Sequence, residues 1–225
     1  MKLAINQSNY IPWKGYFDII GAADLFIIFD NAQFTKNDWR NRNLIKTENG
    51  ISWLSIPVGQ KINRRICDVE INNQWQEKHW NLIELSYKAS SYFNEISKWL
   101  KPMYLDYEYK YLSEVNKTFI IKICEYLEIT TVIRDSRDFV LADGKSNRLV
   151  DLCIQTGATH YISGPSAKNY IKKNLFDQAG ITIEWFDYTG YQSYSQLWGE
   201  FDHNVSILDL LFNCGAKSKA YLKNS

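Results

Sequence analysis

Short continuous apolar runs alternate along the chain with longer stretches whose apolar residues recur every three or four positions, and that alternation predicts the architecture. Residues 2–5 read as an opening strand, and residues 15–23 as a helix with Phe17 and Ile20 turned inward. Residues 24–30, DLFIIFD, carry an unbroken apolar run, the pattern of a strand buried on both faces in a parallel sheet covered by helices. Residues 43–47 and 51–58 are β-rich and flank Glu48-Asn49-Gly50, whose Asn-Gly pair signals a hairpin. Three helices follow at 75–89, 92–100 and 112–127. Pro102 is expected to end the second, and Ser113 to cap the third, whose Val115, Phe119, Ile123 and Leu127 lie four apart. The alternation then returns as strands at 130–134, 160–163 and 181–186 and helices at 147–156 and 167–179, closed by Gly157 and Gly180. A last helix at 206–213 opens with Ser206-x-x-Asp209, and the tail after Gly215 is expected to fray. The expectation is an α/β fold: a mostly parallel, Rossmann-like sheet with a β-hairpin and a central helical insertion at 73–128, within one domain over 1–225.

Composition narrows the function classes. With 225 residues, 45% of them hydrophobic, the chain buries a core without disulfides or metal. Its 26 Lys and Arg balance 25 Asp and Glu, which excludes nucleic-acid binding through a broad cationic face and confines any polyanion contact to a local patch. No apolar run approaches the roughly 20 residues of a membrane span. The start, MKLAINQ, lacks the charged and apolar parts of an export leader, so a cytoplasmic protein is expected. Cys67, Cys124, Cys153 and Cys214 are scattered and expected to be buried thiols. The three histidines, His79, His160 and His203, are too dispersed for a metal motif.

Candidate chemistry concentrates after the first two strands, where open α/β sheets leave a crevice faced by helix N-termini. The first connection holds Asn6, Gln7, Asn9, Tyr10, Trp13 and Gly15, rich in amide donors and acceptors, and it has neither phosphate-loop nor G-x-G-x-x-G spacing. The second runs from Asp30 through Gln33, Trp39, Arg40, Asn41 and Arg42 to Lys46. There Arg40 and Arg42 are suited to clamp a phosphate, with Lys61, Arg64 and Arg65 extending the rim, while Trp39 stacks on a base or sugar. The two connections are expected to converge on one hollow. A third strand-to-helix turn, YISGPS, offers Ser163, Gly164 and Ser166 as an anion site with Lys168 and Tyr170 behind. His79 is the best acid/base candidate, because an imidazole titrates near neutrality. Trp53, Trp80, Trp99 and Trp185 follow apolar spacing and read as core.

The succession of motifs resembles the WbqC-like proteins of bacterial surface-polysaccharide gene clusters. An opening strand runs into Q-x-N-Y-x-P-W-x-G-Y-F from Gln7, followed by A-D-x-F from Ala23, D-x-x-Q-F from Asp30 and W-x-N-R-N-x-I-K from Trp39. The likeness continues through Lys78-His79-Trp80, Tyr161-Ile162-Ser163-Gly164 with Tyr170, and Leu208-Asp209-Leu210-Leu211, so it covers essentially the whole chain. The family's usual I-H-Q-P start is replaced by Ile5-Asn6-Gln7-Ser8, which removes the histidine at position 6.

The resemblance implies a role in building O-antigen, the outer part of lipopolysaccharide, or a related glycan. With the crevice it gives the leading expectation: a cytoplasmic transferase acting on a nucleotide-linked amino sugar, with N-acyl transfer as the leading reaction and an acyl-CoA or other acyl donor as co-substrate. A base would take the proton of the attacking amine while N–H donors stabilise the oxyanion. In this scheme His79 is the base, and Asn6, Gln7 and Asn9 orient the reacting group. Arg40 and Arg42 hold the diphosphate, and Trp39 or Tyr10 stacks. No metal is called for, and the sequence leaves a homo-oligomer open.

Two alternatives stand beside it. The strand, Pro- and Gly-bearing loop, helix and second strand also resemble the opening of pantothenate synthetase and related nucleotidyltransferases, although the H-x-G-H signature is missing. A non-catalytic module that binds a sugar or a partner enzyme fits the scarcity of histidines.

Overall fold

A computed structural model describes residues 1–61 and 63–224. Five strands, β1 (Lys2–Asn6), β2 (Leu25–Ile28), β5 (Val132–Asp135), β6 (His160–Ser163) and β7 (Thr182–Trp185), form one sheet in the order β5-β2-β1-β6-β7. Every neighbouring pair in it is parallel. The chain winds outward from β1 through β2 to β5, then returns beside β1 as β6 and winds outward the other way. The order therefore reverses between β1 and β6, and a doubly wound sheet opens a crevice at that point.

Side-chain alternation feeds two cores. Leu3 of β1 with Leu25 and Ile27 of β2 face one side, against Val150 and Cys153 of helix α5 (Lys145–Thr156) and Phe176 of α6 (Lys173–Gln178). Ala4, Phe26 and Ile28 face the other, toward α1 (Lys14–Gly21), α2 (Gln76–Tyr87), α3 (Phe93–Leu105) and α4 (Leu112–Tyr126). All four residues of β2 are buried, as its unbroken apolar run predicts. The hairpin β3 (Arg42–Thr47) and β4 (Gly50–Ser55) stands apart as a separate antiparallel pair. Gly50 opens β4 at φ +102°, a conformation that only glycine adopts freely.

Several local expectations are overturned by tertiary contacts. Pro102 lies inside α3 and does not end it, because the last turn buries Met103 and Tyr104. Burying such side chains is worth about 1.5–3 kcal/mol each, enough to offset the roughly 3 kcal/mol penalty of a helical proline. The helix predicted at 167–179 is divided into a 3₁₀ turn (Pro165–Asn169) and α6. Ser146 of α5 holds the break by accepting the Lys172 N–H at 3.1 Å and donating to the Tyr170 carbonyl. At the start of α4, the Glu114 carboxylate accepts the N–H groups of Lys110 and Tyr111, whereas the hydroxyl of Ser113 is buried without a partner.

At the C-terminal end of the chain, Ser206 caps α7 (Ile207–Cys214) by accepting the Leu208 N–H. Asp209 is not part of that cap; it is buried and accepts the hydroxyls of Tyr87 and Tyr194. The tail is ordered through a 3₁₀ stretch (Gly215–Tyr221), and the N–H groups of Lys223 and Asn224 donate to Asp18. Trp53, expected in the core, is 44% exposed. All four cysteines are free and buried. No helix among the described residues is long and apolar enough to cross a membrane.

Candidate functional site

A cavity of about 630 Å³ lies at the carboxyl ends of β1, β2 and β6, where the strand order reverses. Asn6 and Gln7 enter it from the end of β1, Asn31 and Gln33 from beyond β2, and Tyr161, Ser166 and Tyr170 from β6 and the turn after it. Three cations also line it: Arg40 from the second connection, and Lys145 and Arg148 from the first turn of α5. No carboxylate lines the cavity among the described residues.

The two arginines are braced. Arg148 donates from Nε to the Ala142 carbonyl at 2.9 Å and lays its guanidinium over Phe29, 5.7 Å from the ring centre. Arg40 donates from Nη1 to Asp38 at 2.7 Å, while its buried Nε has no partner. The first turn of α5 carries no acidic side chain, so its free N–H groups and the positive end of the helix dipole reinforce the cations.

A buried carboxylate ties the two early connections together. Asp30, 1% exposed at the end of β2, accepts the Ser8 N–H at 2.8 Å and the Ser8 hydroxyl at 2.7 Å. Asn116 of α4 donates to the Ser8 hydroxyl and to the Arg40 carbonyl. Burial lifts the Asp30 carboxyl to about 6, against the lowering effect of the Ser8 hydrogen bonds. The Tyr10 N–H donates to the Trp39 carbonyl at 2.9 Å, so the two connections run side by side as a wall.

A second cavity, about 300 Å³, is lined by Asn9, Pro12, Trp13, Trp39, Asn43 and Asn204. Asn43 is fully engaged, donating to the carbonyls of Tyr10 and Ile11 and accepting the Leu44 N–H. Ile11 is held at φ +37°, a conformation a β-branched residue seldom adopts, fixed also by the Ser206 hydroxyl on its carbonyl. The expected single hollow is thus two. Asn6, Gln7, Gln33 and Arg40 share one, with Tyr170, and Asn9, Trp13 and Trp39 share the other.

Other predicted residues build the surroundings. His79 lines neither cavity; it is buried, accepts the Tyr10 hydroxyl at Nδ1 and sits 3.2 Å from the Ser55 carbonyl through Nε2. A carbonyl only accepts, so Nε2 carries the proton. Burial lowers the imidazole pKa to about 4, and the ring is neutral at pH 7. His79 therefore holds the Tyr10 loop against β4 and α2, out of reach of a ligand in either cavity.

Arg42 lines neither cavity and stacks its guanidinium 4.1 Å from the centre of Trp53, so the two arginines expected to clamp one phosphate are divided. Lys46 is buried on the Gln196 side chain and the Glu200 carbonyl. Asn41 donates to the Ile56 carbonyl. Gly15 lies under the Trp13 ring, which a Cβ there would approach to 2.3 Å. Ser163 is buried at the end of β6, and Gly164 packs by Tyr188. Among the described residues, no group of three or more His, Cys, Asp or Glu is placed to hold a metal ion.

A family model of the WbqC-like protein family matches residues 7–221. The chain belongs to that family. This WbqC-like protein is 49% identical over 228 residues to the uncharacterized protein Rv1507c of Mycobacterium tuberculosis, covering 99% of this chain and 97% of that one. No solved structure matches it significantly.

The WbqC-like crevice contains groups that motif reading missed, above all Lys145, Arg148 and Asn31. One sequence signal pointed to the first two. A helix beginning Gly144-Lys145-Ser146-Asn147-Arg148 has cations where the helix dipole favours acids. Such a breach of a local rule is common at functional sites.

Proposed function

We propose that this WbqC-like protein binds a phosphate-bearing small molecule, a nucleotide-linked sugar, in the crevice between β1 and β6, and transfers a group to it. One observation carries the reading: Arg40, Lys145 and Arg148, the N-terminus of α5 and no carboxylate converge where a doubly wound sheet places its ligands. The diphosphate sits against Lys145, Arg148 and the α5 N–H groups, with Arg40 closing from the opposite loop. The amides of Asn6 and Gln7 orient the sugar.

The leading transfer is N-acylation of an amino sugar, in keeping with the surface-polysaccharide role that the family resemblance implies. The amine nitrogen forms a bond to the thioester carbon of an acyl donor, the C–S bond breaks, and the amine proton leaves with the thiol. Positioning and stabilisation of charge supply the rate in this scheme, and His79 serves as a positioning residue behind the Tyr10 loop.

Calorimetric titration with UDP, UDP-N-acetylglucosamine and free N-acetylglucosamine tests the ligand class. Binding of the two nucleotides, weakened at least tenfold in Arg148→Ala, supports the reading. Absence of binding by both nucleotides overturns it. Release of thiol from acetyl-CoA in the presence of amino-sugar nucleotides tests the reaction separately.

A further inference from the structure

We infer that the second cavity is a binding site for a single neutral, hydroxyl-bearing ring, a monosaccharide unit, distinct from the phosphate-binding crevice. The assignment rests on the cavity's own geometry and stands whether or not the crevice takes a nucleotide.

Size comes first. A volume of about 300 Å³, half that of the crevice, lies at the lower end of small-molecule pockets, which run roughly 300–1,000 Å³, and suits one ring. Chemistry comes second. No charged group lines the cavity among the described residues; its walls are the rings of Trp13 and Trp39, Pro12, and three amide side chains. Asn43 is fully engaged, whereas Asn9 Oδ1 is shielded from water without a hydrogen-bond partner. A buried acceptor left unpaired costs about 1–3 kcal/mol, which a rotation of the Asn9 amide toward a ligand hydroxyl in the cavity would recover. A hydroxyl rotates to supply that donor, and the exposed Asn204 offers its amide from the rim.

The aromatic lining suits the C–H face of a sugar ring. Trp39 leans on Trp53 at 5.7 Å and 35°, so one of its faces is covered. Trp13 is wedged by Tyr188 at 5.4 Å and Tyr191 at 5.7 Å, with Gly15 beneath. Both indoles line the cavity and are held in place by other rings. A sugar ring needs only one platform, for its C–H face, with its hydroxyls turned to the amides.

The experiment is a titration of the intact protein with free glucose, galactose, N-acetylglucosamine, adenosine and uridine, followed by tryptophan fluorescence and calorimetry. Saturable quenching by at least one sugar is expected. Trp39 is 43% exposed, so Trp39→Ala should fold normally and weaken that binding roughly fivefold to tenfold. Asn9→Leu should abolish binding, while Asn9→Asp, which keeps the acceptor, should retain it. The double variant Lys145→Ala/Arg148→Ala should bind the sugar unchanged. Failure of every free sugar to bind, preference for a nucleoside, or binding that survives Asn9→Leu overturns the assignment. UDP binding reads only the crevice: UDP without sugar binding removes this site alone, and sugar without UDP binding removes the crevice reading alone.

Discussion

On one side of the loop at residues 7–13 the crevice presents Arg40, Lys145 and Arg148 at the mouth of a parallel sheet; on the other, the smaller cavity presents Trp13, Trp39 and amides beside a hairpin. The Ser8–Asp30 link and the Tyr10–Trp39 backbone bond join the two loops that contribute to both cavities. Neighbouring residues diverge across this wall, Trp39 to one cavity and Arg40 to the other. Both lie in the turn that the Asn41 N–H closes on the Asp38 carbonyl, just before β3, and that turn sends the two side chains to different cavities. The difference also assigns roles to the buried polar groups. Asp30 and His79 belong to the wall, whereas Arg40 and Asn9, which line the cavities, each keep a polar atom without a partner.

The most severe way to break the comparison is to remove the wall. Asp30→Ala strands the Ser8 N–H and hydroxyl in the core, at about 1–3 kcal/mol each. Calorimetric unfolding should place its Tm roughly 10 °C lower, and titrations should lose both UDP and sugar binding. Loss of one ligand alone would mean the cavities are built independently.

A comparable effect is expected from pH at His79. Its folded pKa, about 4, lies below the ordinary value of 6.5, so its contribution to stability is present above pH 6.5 and lost as pH falls toward 4. In urea unfolding, the stability of the wild type relative to His79→Gln should fall by roughly 3 kcal/mol between pH 6.5 and pH 4. Asp30 works in the opposite sense. Its carboxyl, raised to about 6 from 3.8, withdraws stability as pH rises through that window, so the stability of the wild type relative to Asp30→Asn should rise toward its acid end.

Arg148→Ala sharpens the contrast directly. Loss of one charge-assisted contact should weaken UDP by about 1.5–3 kcal/mol, with sugar binding unchanged and the thermal transition lowered only by the loss of the Ala142 and Phe29 contacts. Equal weakening of both ligands would contradict two separate sites. The smallest effect is expected at Gly15→Ala, where the new methyl would displace the Trp13 ring. Sugar affinity should fall severalfold while UDP affinity holds, as read by the same titrations.

The architecture was largely legible in the sequence, because strand and helix periodicities are local. DLFIIFD can be a strand buried on both faces and little else, and Glu48-Asn49-Gly50 can turn a hairpin. The errors fell where distant contacts outweigh local preference: Pro102 carried through α3 by the burial of Met103 and Tyr104, and the tail fixed by Asp18. In the candidate site, the two connections were marked by their amides and cations. The partners on α5 escaped notice because the helix was expected to start at 147, whereas it starts at Lys145 and turns its first-turn cations into the crevice.

Sequence alone determined the alternation of strands and helices, the family and the polar character of the two early loops. Those properties follow from residue order and hydrophobicity, which act over a few positions at a time. Tertiary structure decided which loop residues line a cavity and which face each other. Arg40 reaches the crevice while Arg42 stacks on Trp53, and His79 disappears beneath Tyr10. Such outcomes depend on burial and on the direction each side chain takes, and these are fixed only when segments distant in the chain pack together.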